Sequence, residues 1–100
     1  MRRGTTPTHT FRLPFDVSEL QEVKITYSQC GNEVLHKKKA DCTLDGTTLQ
    51  VILSQEETLK FECCYPAQVQ VRALMTNGQA VAADPVDFAV EEILDNEVLA

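Results

Sequence analysis

Residues 21–29 read QEVKITYSQ. Val23, Ile25 and Tyr27 alternate there with Lys24, Thr26 and Ser28, the two-residue period of a strand with one face buried and the other wet. A helix would place its apolar groups three and four apart, so this stretch decides for β. The same period returns in TTLQVILS at Leu49, Val51 and Leu53, and in QVQVRALMT at Val69, Val71, Ala73 and Met75. THTFRLPF adds an early strand through Phe11 and Leu13, ending near Pro14 because proline has no N–H for a central ladder.

The turn signals fall between these segments. Gly31-Asn32 separates QEVKITYSQC from EVLHKKK, Asp45-Gly46 precedes TTLQVILS, and Asn77-Gly78 stands between QVQVRALMT and the last β segment; each dipeptide tolerates the positive φ of tight hairpins. In the first hairpin a two-residue loop would set Tyr27 opposite His36. A three-residue loop would set Tyr27 opposite Leu35, and this is the expected register because it pairs apolar with apolar. The last segment, residues 80–91, is broken at Asp84-Pro85 and resumes its alternation at Val86, Phe88 and Val90, which implies an edge position, a bulge or a change of sheet.

One segment leaves the β pattern. SQEETLKF places Ser54 three residues before Glu57, the reciprocal capping box of a helix start, and one to two turns are expected near residues 55–60. Six strands joined by short turns, with that one helical turn, predict an all-β fold: an antiparallel β-sandwich, immunoglobulin-like or a related Greek key. The chain has no Trp and no cysteine pair at antibody-type positions. Its 100 residues suit a single domain with one core. Residues 1–6 read as a flexible N-terminal arm and residues 92–100 as an acidic-apolar C-terminal tail.

The net charge is -6, with seven Lys/Arg against six Asp/Glu in residues 1–50 and two against nine in residues 51–100. That field repels phosphate backbones, so no nucleic-acid partner is expected. Lys37-Lys38-Lys39 is the one basic run and reads as a solvated strand edge. No apolar stretch follows Arg2 and Arg3 as a signal peptide would require, and no run reaches the roughly 20 residues of a membrane helix. No membrane partner is expected, and the chain is expected to stay in the cytoplasm of the cell that makes it.

Two histidines and four cysteines invite a test for chemistry. Cys30, His36 and Cys42 are each six apart and Cys63-Cys64 are adjacent, unlike the closely spaced ligand pairs of structural zinc sites. A disulfide is not expected in a reducing compartment, and adjacent cysteines close a strained ring. His9 reads as part of the arm, Glu56-Glu57 as the acidic opening of the helical turn, and Asp84, Asp87 and Glu91-Glu92 as solvated edge or tail groups. No catalytic residue, cofactor or metal ligand is assigned, and no enzyme activity is expected. In KFECCYP, residues 60–66, Phe61 and one cysteine are expected to face the core, with the other cysteine outward and Pro66 ending the stretch.

The tail EEILDNEVLA carries Ile93, Leu94, Val98 and Leu99 at near-helical spacing on an acidic background. Such a segment either packs back on its own domain or frays, or docks its apolar side on a partner; on the second reading these four residues are the candidate partner interface.

The order RGTTPTHTFRLPFD, ITYSQCGNEVLHK, DCTLDGTTLQVILSQEETLKF, VQVRALMTNGQAVAAD and VEEILDNEVL, spanning nearly the whole chain, resembles a group of small phage and prophage proteins encoded among the structural and tail genes of gut Firmicutes. The resemblance implies a virion or prophage component, a tail or baseplate accessory domain, made in the bacterial host cytoplasm and in some cases carried in the virion. Its partners would be other phage structural proteins or further copies of itself. That group carries no catalytic motif to transfer. The alternative class is a β-sandwich that binds carbohydrate or the host surface, with a metal-binding or redox protein third.

Overall fold

The computed structural model describes residues 1–99. QEVKITYSQ lies in the second of eight strands: β1 Thr8–Arg12, β2 Leu20–Gln29, β3 Asn32–Lys38, β4 Cys42–Asp45, β5 Thr48–Ile52, β6 Ala67–Met75, β7 Ala80–Ala82 and β8 Val86–Phe88. One helical turn, α1 Gln55–Thr58, joins β5 to β6. The strands form two antiparallel sheets, β1-β5-β4 and β3-β2-β6, with β7 and β8 one after the other along the far edge of β6. Lettered B to G, this is B-E-D packed on C′-C-F-G, the immunoglobulin order without a full strand A. The expected sandwich is what forms.

Strand β2 is flanked on both sides, by β3 and β6, and its inner face packs into the core. Val23, Ile25, Tyr27 and Gln29 are buried, and opposite them in the core lie Leu49, Val51 and Leu53 of the other sheet and its exit. The strict alternation of the sequence is thus the direct record of one side packed and one side wet. At the far end of the core a crevice of about 350 Å³, lined by Leu13, Phe15, Leu20, Met75 and Val81, separates the sheets.

The first hairpin reaches the expected pairing by another route. Tyr27 does stand opposite Leu35, but the turn is the two-residue Cys30-Gly31, since Gln29 already pairs with Asn32. Cys30 and Gly31 both have positive φ, 52° and 81°, as a primed hairpin turn demands. The register shift between Tyr27 and Ser28 then absorbs Val34 as the extra residue of a β-bulge. The bulge, not the loop length, keeps apolar with apolar.

The capping box forms as the sequence predicts: Glu57 N–H donates to Ser54 Oγ at 3.1 Å and Ser54 N–H donates to Glu57 Oε1 at 2.8 Å. Two of the three lysines in the run depart from a solvated edge, while Lys38 stays exposed. Lys37 faces inward and its Nζ lies 2.7 Å from Glu57 Oε2, tying β3 to α1, while Lys39 Nζ donates to Leu20 O at 3.0 Å. Burial would raise the Glu57 carboxyl, but Lys37 and the Ser54 bonds outweigh it and hold the group below its ordinary value.

Strand β4 has no signature in the sequence, because CTLD is too short to show a period. The final segment splits at Asp84-Pro85 into β7 and β8, both edge strands. Among the described residues no helix is long and apolar enough to cross a membrane.

Candidate functional site

The two ends of the described chain meet. Arg2 and Glu91 form a parallel bridge, in which Arg3 N–H donates to Glu91 O at 2.9 Å and Glu91 N–H donates to Met1 O at 2.8 Å. Arg2 pairs with Glu91 at 2.7 Å, and Arg3 pairs with Glu92. The Arg3 guanidinium also reaches into the body, donating to Phe61 O at 2.6 Å and to Leu59 O at 3.1 Å. The segment read as a free arm is thus hydrogen-bonded at residues 1–3, because its arginines find the acids and carbonyls that the sequence scatters far away. The backbone N–H of Ile93 and the guanidinium of Arg3 hold the Glu92 carboxyl below its ordinary value.

Of the four predicted interface residues, Ile93 belongs to this seam. It is half-buried, and its Cδ1 lies so close to Gly4 that a Cβ there would stand 2.6 Å away. Gly4 has φ +73°, a conformation open mainly to glycine, so the chain turns under Ile93 without obstruction. Leu94, Val98 and Leu99 are exposed. The tail that carries them is held at two points: Gln55 Nε2 donates to Leu99 O at 2.9 Å and Leu99 N–H donates to Gln55 Oε1 at 2.8 Å, while Arg3 donates to the Asn96 side chain at Oδ1, 3.0 Å away. The described part of the tail is therefore anchored with three large apolar side chains turned to solvent; Ala100 lies outside the described residues.

Between the sheets sits a second cluster. His9 is not in an arm but in β1, where its Nδ1 lies 2.6 Å from Tyr27 Oη. Tyr27, Phe61 and Phe88 meet edge to face with ring centroids 5.9–6.1 Å apart. Burial pushes the His9 imidazole below its ordinary value and the Tyr27 phenol far above its own. Both shifts favour the neutral imidazole and the protonated phenol at neutral pH. The two side chains satisfy each other in a part-buried hydrogen bond, and no sequence signal joined two residues 18 apart.

KFECCYP closes on itself. Cys63 and Cys64 are bonded to each other, against the expectation that neighbours would not bridge; Cys64 sits at φ 73°, a left-handed turn that brings both side chains together. Phe61 is buried as expected, whereas Cys63 is half-buried and Cys64 exposed. Gln29 fastens the loop from below, donating to Glu62 O at 2.8 Å and Tyr65 O at 2.9 Å and accepting from Glu62 N–H at 2.7 Å. Cys42 donates to Lys38 O at 3.3 Å, and burial raises its thiol. Among the described residues no three His, Cys, Asp or Glu side chains converge as a metal ion would need.

The fold and surface define a small two-sheet β module with Leu94, Val98 and Leu99 exposed on an anchored tail and Ile52, Tyr65 and Val86 exposed elsewhere. Comparisons with protein-family models, with curated proteins and with solved structures returned no match.

Proposed function

We propose that the chain is a noncatalytic interaction module of the phage structural kind, a tail or baseplate accessory component that assembles through its sheet edges and its terminal segments. The observation that carries this reading is the tail: Leu94, Val98 and Leu99 are exposed on a segment that Gln55 holds by the Leu99 backbone and Arg3 by the Asn96 side chain. A segment ordered before it binds loses less entropy on docking than a free one. The edges of β3 and β4, each paired on one side only, offer further backbone groups to a neighbour.

The aromatic supply argues against the carbohydrate-binding alternative. Phe11, Phe15, Tyr27, Phe61 and Phe88 are in the core or packed against it, leaving Tyr65 alone exposed among the aromatics, whereas sugar platforms use several exposed rings. The test is sedimentation of the purified protein alone and with the products of the genes beside its own. Assembly in either sample supports the reading; a strict monomer that captures none of those products removes it.

A further inference from the structure

Strand pairing sets three cations side by side on the outer face of the larger sheet. Lys38 stands opposite Lys24, and Lys24 stands opposite Arg72, so their side chains start about 5 Å apart on one surface. All three are exposed, and none has an ion-pair partner among the described residues. Like charges directly opposite one another destabilise a sheet, so this row works against the fold. Two acids stand beside the row: Glu22, two residues from Lys24 on the same strand and lining the same groove, and Asp41, whose carboxylate accepts the backbone N–H of Lys38 at 3.0 Å.

The row lies in a groove of about 650 Å³. Beyond the cations Leu74, Ala80 and Ala82 give the groove an apolar strip, with Ala82 opposite Arg72 and Ala80 opposite Leu74, while Gln21 and Glu22 also line it and Glu22 stands opposite Leu74. A long phosphate polymer would meet a chain of net charge -6 and would leave the apolar strip without a partner. A short peptide with a few carboxylates between aliphatic side chains satisfies both halves of the groove.

The same molecule displays that peptide. Asp95 and Glu97 alternate with Leu94, Val98 and Leu99 on the anchored tail, whose aliphatic side chains are exposed. We infer that the outer face of the β3-β2-β6-β7 sheet, through Lys24, Lys38, Arg72 and Leu74, receives the acidic-apolar C-terminal tail of a second copy of this chain. The inference rests on the interaction reading above and names its partner. Tail and groove are different surfaces, so the contact is head-to-tail, and growth need not stop at a dimer. Charge gives the contact its register and salt sensitivity, and Leu94 and Leu99 give it buried area.

The test titrates the full-length protein into a fluorescent peptide, EEILDNEVLA, and follows anisotropy at low salt and at physiological salt. Saturable binding that weakens with salt is expected, falling about tenfold when Lys24→Glu and Arg72→Glu are combined. A peptide carrying Asp95→Lys and Glu97→Lys should in turn bind the doubly reversed protein better than the original protein, which a folding defect could not produce. Urea midpoints of all variants show that the proteins compared are folded. Equal binding by original and reversed proteins, or equal binding of polyglutamate lacking aliphatic groups, overturns the inference. So does assembly of the intact chain that the groove variants leave unchanged, an outcome under which the broader interaction reading survives; a chain that neither self-associates nor captures a neighbour overturns both.

Discussion

Strand β2 shows its two sides to opposite conditions. On the inner side Ile25 and Tyr27 have no exposed surface, the Tyr27 hydroxyl meets His9, and Gln29 satisfies three backbone groups of the cysteine loop. No buried side-chain nitrogen or oxygen among the described residues lacks a partner. On the outer side, one residue away, Lys24 stands between two further cations with no counter-ion among the described residues. The inner side obeys every rule of stable packing, and the outer side breaks one. Departures from local rules tend to mark places selected for something other than stability, so the two sides should respond to substitution with opposite signs.

The largest effect belongs to the inner side. Tyr27→Ala removes a fully buried ring in edge-to-face contact with Phe61 and Phe88 and should cost about 3–5 kcal/mol in urea unfolding. Tyr27→Phe keeps the ring and isolates the hydroxyl, and its loss should be far smaller. If the two variants were equally unstable, the stabilisation at this position would come from the hydroxyl and not from the ring.

Next comes Gln29→Leu, which is similar in volume but takes the buried amide away from Glu62 N–H, Glu62 O and Tyr65 O, three groups in part-buried hydrogen bonds. A loss of about 2–3 kcal/mol is expected, with the cysteine loop loosened first. Amide exchange at Glu62 and Tyr65 rising faster than global stability falls would locate the damage there. Uniform loss of protection would show instead that the loop and the core open together.

A smaller effect depends on pH. Burial holds the folded His9 below the ordinary value of 6.5, so the folded state binds fewer protons than the unfolded one. Stability is then full above that value and falls as pH drops through it. Glu57 and Glu92, held below the ordinary 4.5, lose their contributions only at lower pH, which leaves the window between to histidine. Urea midpoints should decline between about pH 7.5 and pH 5, and His9→Asn should flatten that decline. A slope unchanged by the substitution would assign it elsewhere.

Both sides of β2 were legible in sequence to different depths. Alternation revealed which residues face inward, since period two is a local property, and the capping box revealed α1 for the same reason. The His9–Tyr27 bond, the Lys37–Glu57 pair and the seam of Arg2 and Arg3 with Glu91 and Glu92 join residues whose proximity depends on strand order, which no local pattern encodes. The cation row was hidden in the same way: Lys24, Lys38 and Arg72 become neighbours only once β3, β2 and β6 lie in register. The bulge at Val34 contributes to that register, since it was needed to bring Tyr27 opposite Leu35. The candidate tail was half legible, because spacing could not tell that Ile93 would be drawn into the seam over Gly4 while Leu94, Val98 and Leu99 stayed outside.

The smallest expected effect is the most discriminating, because its sign differs from the others. Lys24→Thr removes the central charge of the row and inserts a residue well suited to a strand. Relief of cross-strand repulsion should stabilise the protein by about 0.2–1 kcal/mol at low salt. The gain should shrink toward zero at about 1 M salt, where charges at this spacing are screened. Arg72→Thr should behave alike, and the two gains together should fall short of additivity because each removes part of the same repulsion. A more stable variant that binds the tail peptide less well would separate what holds the sheet together from what its outer side is for. A destabilised variant at low salt would mean that Lys24 has a stabilising counter-charge after all, and the contrast between the two sides of β2 would disappear.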